Sequence, residues 1–297
     1  MSNKPRKMTL EKKHNLTGWA FLAPATFLIA VFSFWPMIKA LVLSFQTGKG
    51  RNMQMAGFTN YIRMFQDDVF IQSIKNTFFY FILQVPIMLV VAMVLACILN
   101  KKDLRFKGFF RTMIFLPCTT SLVAYSIIFR SLFANNGLVN YVLVNLGILD
   151  KPYNFLTQPF AAKMVILLGL LWRWTGYNMV FFLSGLQNIE YSVYEAAKID
   201  GASAIQTFFK ITVPLLKPTI LLTAIMSTNG TLQLFDESVN LTDGGPANAS
   251  ISMSHYIYNL CFKYVPNFGY AAAMSFFILL LVAVLAFIQM RVGDKRD

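Results

Sequence analysis

Residues 77–99 read TFFYFILQVPIMLVVAMVLACIL, with no charged side chain and a single amide, Gln84. A bilayer core about 30 Å thick is crossed by roughly 20 apolar residues rising about 1.5 Å each, so a run of this length is a membrane helix. Five more long, predominantly apolar runs occur: Gly18 to Phe45, Phe110 to Phe133, Ala161 to Leu186, Pro218 to Phe235 and Tyr270 to Met290. The composition agrees. Of 297 residues 56% are hydrophobic and 13% charged, with mean hydropathy +0.55. A soluble domain carries about 25% charged residues, so a water-soluble globule is excluded. The formal charge of +13 must then be explained inside a membrane reading. It does not mark a nucleic-acid protein, because long apolar runs interrupt the basic residues and leave no extended polar surface.

The first run follows Lys4, Arg6, Lys7, Lys12 and Lys13 but far exceeds the apolar core of a cleaved signal, so it is a retained helix with kinks expected at Pro24 and Pro36. Six spans put both termini on one side. Sixteen of the 26 basic residues fall on that side: the five before the first span, Lys101, Lys102, Arg105, Lys107 and Arg111, then Lys198, Lys210 and Lys217, then Arg291, Lys295 and Arg296. The opposite side has seven: Lys49, Arg51, Arg63, Lys75, Lys151, Lys163 and Lys263. The positive-inside rule makes the richer face cytoplasmic. The organisation is a basic cytoplasmic tail (1–17), one transmembrane domain (18–290, with spans 18–45, 77–99, 110–133, 161–186, 218–235 and 270–290), and a short cytoplasmic tail (291–297). The outer connections are too small to be folded domains.

Chemistry is sparse. Cys97, Cys118 and Cys261 are too few and scattered for a disulfide framework or a zinc site, and two histidines, His14 and His255, leave little for metal or acid–base work. No phosphate-binding loop, nucleophile elbow or zinc-protease motif occurs, so the chain is not expected to be an enzyme, and any ATP it depends on is hydrolysed elsewhere. No metal site is expected. None of the 13 acidic residues lies mid-span, which weighs against an ion-coupled carrier.

The unusual segment is the connection 187–217, which contains NIEYSVYEAAKIDGASAIQTFFKITVPLLK from Asn188 onward. Ser192 followed by Glu195 has the spacing of a capping box, predicting a short helix that stops at Gly201. A second helix over Ala202 to Lys210 should end before Pro214. Two readings stand side by side: a capped surface hairpin, or a docking element in which the Ala196/Ala197 pair beside a glycine turn admits close approach by another surface.

Glu195-Ala196-Ala197, Gly201, Ile211 and Pro214, at this spacing, resemble the EAA loop of bacterial binding-protein-dependent ABC importers, with Val213 standing where that pattern usually has Leu. Phe115-Leu116-Pro117, Tyr194 to Ala202 (YEAAKIDGA) and Leu241 to Ala249 (LTDGGPANA) further resemble sugar-importer permeases of the maltose and glycerol-3-phosphate type, and the likeness runs from about Leu16 to Val292. The resemblance implies an all-α integral membrane permease of the type I ABC importer fold, with six transmembrane helices and a cytoplasmic coupling helix. It implies that Glu195, Ala196, Ala197, Gly201, Ile211 and Pro214 dock an ATPase. It also implies partners: a second permease of similar fold, two cytoplasmic ATPase subunits that bind ATP and magnesium, and an extracellular sugar-binding protein. This chain itself would hold no cofactor and would sit in the bacterial cytoplasmic membrane among lipid, with both termini cytoplasmic.

A sugar presents hydroxyls and flat C–H faces, so its path needs amides, hydroxyls and acids together with aromatic rings. In the fifth span Asn229, Gln233 and Asp236 share one helical face within roughly 60°. In the fourth, Trp172, Arg173, Trp174, Tyr177 and Asn178 interrupt an apolar run. These positions, Arg173 excepted, are the substrate-path candidates; the competing reading is that they only let helices approach and bond one another. Arg173 is expected to be neutralised by a carbonyl or an acid, and for Asp236 and Glu237 at the outer mouth the competing reading is simple solvation. The function expected is inward passage of a di- or oligosaccharide by alternating access. The alternatives are another polar solute such as glycerol-3-phosphate, which would want a basic pocket, or an ATP-independent secondary transporter.

Overall fold

The computed structural model describes residues 9–49, 52–101 and 103–293. Lys4, Arg6, Lys7, Arg51, Lys102, Lys295 and Arg296, counted above toward orientation, lie outside the described residues. Among the described residues four helices are long and apolar enough to cross a membrane: α1 (Leu10–Ser44), α3 (Asp68–Asn100), α7 (Pro159–Gln187) and α13 (Phe268–Gly293). Two bent pairs raise the number to six if each is one crossing: α4 (Lys107–Thr119) with α5 (Leu122–Leu132), at 98°, and α9 (Ala204–Leu215) with α10 (Lys217–Leu232), at 71°. Between them lie a two-stranded antiparallel hairpin, β1 (Gln46–Lys49) with β2 (Asn52–Met55), and the short helices α2 (Thr59–Met64), α6 (Leu138–Asn145), α8 (Tyr191–Ile199), α11 (Asp236–Thr242) and α12 (Met253–Tyr258).

Several expected boundaries shift for local reasons. The first helix does not break at its prolines. It widens into a π turn at Ala30–Phe34, where Trp35 N–H reaches the Ala30 carbonyl, and the wider turn accommodates the missing donor of Pro36. The expected third span, 110–133, is not one helix. Pro117 supplies no donor, and the Thr119 and Thr120 hydroxyls both bond the Leu116 carbonyl (2.8 and 3.2 Å), competing with the backbone ladder until it ends at Thr119. The expected fifth span, 218–235, ends at Leu232, so Gln233 already leaves the helix.

Helices α3 and α7 pack along each other and carry the core. Near one end Ala92, Ala96 and Leu99 meet Met179, Phe182 and Leu186, with Leu216 from the α9–α10 bend. Toward the other end Tyr80 meets Tyr125, Ile166 and Leu170, and Phe70 meets Met253, Tyr270 and Met274. Gly176 lets α4 cross α7 at backbone distance, since a Cβ there would overlap the Ile114 carbonyl. This framework sets the 187–217 connection at one end and the Leu241–Ala249 segment at the opposite end.

Candidate functional site

At the first end, α8 runs from Tyr191 to Ile199 and is closed by a Schellman turn. Ala202 N–H bonds the Ala197 carbonyl (2.9 Å), Gly201 N–H bonds the Lys198 carbonyl (3.2 Å), and Gly201 takes φ +78°. The stop expected at Gly201 is therefore there, but the start is not. Glu190 is the N-cap, no side chain caps the helix, and the Ser192 hydroxyl donates to the Glu190 carboxylate (3.3 Å) instead of accepting from the backbone. The capping box sits one helix later: Ser203 Oγ accepts from Gln206 N–H (3.3 Å), and Gln206 Oε1 accepts from Ser203 N–H (2.8 Å). The following helix does not stop short of Pro214. A π turn at Phe208–Thr212 carries it through to Leu215, and the break comes at Leu216, between Pro214 and Pro218.

Within this loop Ala197 is buried and Tyr194 meets Thr212 (3.4 Å), pinning α8 on α9. Glu195, Ala196, Gly201 and Pro214 are exposed and Ile211 half-buried. Ile199, Ile205 and Phe209 are also exposed, at 85%, 71% and 65%. An amphipathic hairpin would turn such residues inward. Beside the loop is a cleft of about 1140 Å³ lined by Asn100, Lys101, Asp103, Tyr191, Tyr194 and Lys198 among others.

A second cavity, of about 300 Å³, lies between α3, α7 and α10 where α10 gives way to α11. Trp174, Tyr177, Asn178, Gln233 and Asp236 line it, so five of the substrate-path candidates from two spans come together. Asn229 is exposed and joins through its Oδ1, which accepts from Gln233 Nε2. Trp172 faces elsewhere, stacked on Tyr125 (centroids 6.0 Å apart) and tilted against Phe129 (5.5 Å). Trp174 and Tyr177 meet edge to face at 5.8 Å, presenting aromatic surface beside the amides.

Polar groups in the wall are fixed by one another. Asn178 donates to the Trp174 carbonyl (3.1 Å) and accepts from Ser227 Oγ (3.3 Å); Thr231 Oγ1 donates to Gln84 Oε1. Gln84 was not among the sequence candidates, although its position as the lone amide of an apolar run was a signal. Glu237 is the larger correction. It is 4% exposed rather than solvated, and it lines the cavity with Asp236. Burial raises its carboxyl above the ordinary range; its own backbone bond, Arg173 and a bond from Trp174 pull the other way, while Asp236 adds to the rise. Arg173 is buried and donates through Nη1 to the Thr120 carbonyl (2.8 Å), the group left free where α4 breaks. Its guanidinium also lies over the rings of Tyr125 and Trp174, at 5.6 and 5.4 Å.

The Leu241–Ala249 segment occupies the end opposite the 187–217 loop. Its shape needs left-handed backbone at Asp243, Gly244, Ala247 and Asn248. Long-range bonds hold it: Asn76 Nδ2 donates to the Ile251 and Asn248 carbonyls (2.9 and 3.2 Å), and Ser238 Oγ meets His255 Nδ1 (2.9 Å). Nearby, the Asp67 carboxylate caps α3 and accepts the hydroxyls of Tyr256 and Tyr270, each at 2.7 Å. Burial alone would raise the Asp67 carboxyl, but those two hydroxyls and the Phe70 and Val69 amides hold it below the usual value. Among the described residues no group of three or more His, Cys, Asp and Glu side chains is placed to hold a metal ion.

Residues 68–296 match the family described as "Binding-protein-dependent transport system inner membrane component". The lactose transport system permease protein LacF of Rhizobium radiobacter is 50% identical, over 98% of this chain and 98% of its own length. The arabinooligosaccharides transport system permease protein AraP of Halalkalibacterium halodurans is 31% identical over 96% and 90%. A chain in the crystal structure of a bacterial ABC transporter involved in the import of the acidic polysaccharide alginate superposes with TM-score 0.84 at 24% identity, covering 95% of this chain and 96% of that one. A likeness at that identity establishes the permease fold.

Proposed function

The chain belongs to the family of binding-protein-dependent transport system inner membrane components, and on that premise we propose that it is the membrane-spanning permease of an ATP-driven importer that passes a di- or oligosaccharide inward by alternating access. The observation that carries the sugar reading is the cavity of about 300 Å³. Its lining sets the aromatic faces of Trp174 and Tyr177 beside the amides Gln84, Asn178 and Gln233 and the hydroxyls of Ser227 and Thr231. Rings suit the C–H faces of a pyranose, and fixed amides and hydroxyls suit its hydroxyls. Two of its permease relatives, LacF and AraP, are named for saccharides.

In this reading the chain crosses the membrane six times, the bent pairs each counting once, with both termini cytoplasmic. The 187–217 loop docks an ATPase through exposed Glu195, Ala196, Gly201 and Pro214, with Ile211 supporting them from the half-buried side. The exposed Ile199, Ile205 and Phe209 favour docking over a solvated hairpin, because three large apolar side chains left in water need a covering surface. A rigid helix so held converts ATPase closure into rocking of α7 and α10. ATP and magnesium belong to two such ATPase subunits. A second permease of similar fold covers the exposed side of α10, where Asn229, Gly230 and Gln233 stand open, and an extracellular sugar-binding protein delivers the substrate.

Reconstitution of the chain with its partner permease, ATPases and binding protein in lipid vesicles tests this. Saccharide-loaded binding protein should stimulate ATP hydrolysis and saccharide uptake together, and Trp174→Ala should depress uptake at least tenfold, a loss of about 1.4 kcal/mol. Stimulation by no saccharide would overturn the substrate class.

A further inference from the structure

The cavity has a charge character that its relatives' names do not specify. Among the described residues its charged lining side chains are Asp236 and Glu237, both acidic and adjacent in the chain. Arg173, whose charge reaches Glu237, does not line it. That guanidinium is committed to the Thr120 carbonyl and lies against the rings of Tyr125 and Trp174, one layer behind the wall. The remaining polar lining, Gln84, Tyr177, Asn178, Ser227, Thr231 and Gln233, is neutral.

We propose that Asp236 and Glu237 form a charge filter that selects neutral saccharides and rejects those bearing a carboxylate or a sulfonate. The inference rests on the saccharide-path reading and narrows its substrate class. A neutral sugar gains hydroxyl-to-carboxylate hydrogen bonds, which are stronger than bonds between neutral partners. An anionic sugar adds negative charge beside Asp236 and a Glu237 whose ionisation burial already disfavours, in a partly enclosed space where water screens poorly, and finds no lining cation to pair with. Burial of Glu237, 4% exposed, holds one carboxyl in fixed position, with the half-buried Asp236 next to it in the lining.

The test uses the full chain in lipid nanodiscs with Trp174 as its lone tryptophan (W19F, W35F, W172F), so that emission reports the cavity wall. Wild-type chain is titrated in parallel by calorimetry. The ligands are lactose and a disaccharide of matched size carrying one hexuronic acid. Lactose should bind at least tenfold more tightly, about 1.4 kcal/mol. The pair Asp236→Asn and Glu237→Gln should close most of that gap by improving the acidic ligand. Equal binding of both sugars to the unaltered cavity would overturn the filter and leave the saccharide path standing. A preference that survives both substitutions would overturn the assignment to these two residues. If lactose binds to neither preparation, the saccharide path falls, and the filter with it.

Discussion

At the 187–217 end, the turn at Gly201 is closed by backbone bonds between residues three and five positions apart, and large apolar side chains face outward. At the opposite end the polarity is reversed. Asn76, Ser238, Ser250, Ser252 and His255 are buried; Asn76 reaches Ile251 and Asp67 reaches Tyr256 and Tyr270 across most of the chain, while Ser238 bonds His255 and Ser252 bonds the Leu234 carbonyl within the same end. One end is shaped by its own sequence and, in the reading proposed above, left open for a partner; the other is tied to distant parts of the chain. Removing a group should therefore damage stability at the second end and coupling at the first.

The largest stability loss is expected for Asp67→Ala. It deprives the buried Tyr256 and Tyr270 hydroxyls of their shared acceptor and uncaps α3, which together cost about 2–4 kcal/mol. Thermal unfolding of the detergent-solubilised chain should register the loss, while uptake per folded molecule stays unchanged. A variant of normal stability would break the contrast.

Gly201→Val should do the reverse. Nothing lies within 4 Å of a Cβ placed there, so the fault is not steric but the φ of +78°, a strain of about 1–3 kcal/mol for a β-branched residue. Relief by unwinding the turn would misplace α8 and cut uptake per ATP hydrolysed at least tenfold, with insertion intact. Gly201→Asn, which tolerates left-handed backbone, should recover most of it.

A pH titration sharpens the comparison further. Burial pushes the His255 imidazole down to about 4, with Asp243 opposing and Lys263 assisting, whereas an unfolded histidine titrates near 6.5. The folded state thus holds the neutral ring. Its stability contribution is complete above about 6.5 and is lost as pH falls from there toward about 4. His255→Gln should flatten that slope. The Asp67 contribution, also from a depressed value, should persist until the pH falls below about 3.9.

Hydropathy over twenty-residue windows made the membrane class and the positions of the long helices legible, because lipid imposes that pattern on each segment separately. The α8 turn was legible for the same reason, being written in adjacent residues. What escaped was non-local. Glu237 looked like a solvated acid at a helix end, and only the packing of α11 against α5 and α7 buries it beside Trp174. Gln84 looked like an isolated amide until Thr231, 147 positions away, supplied its partner. Breaks within spans escaped as well, since Thr119 and Thr120 are compatible with helix until both hydroxyls turn to the Leu116 carbonyl.

The smallest expected effect tests a single local motif. Two serines in the 187–217 loop each stand three residues before an acid or amide, Ser192 before Glu195 and Ser203 before Gln206, and the pattern alone assigns a capping box to either. Only Ser203 closes one; Ser192 already lies inside α8, one residue past its first, so its amide and hydroxyl are in the wrong register to serve the helix start. Ser203→Ala should lower stability by about 1 kcal/mol and Ser192→Ala by less than about 0.5, since it loses just an exposed bond to Glu190. Equal losses would mean that α8 begins two residues later than Tyr191, at Val193, which would put Glu195 in the capping position and remove it from the face proposed to dock.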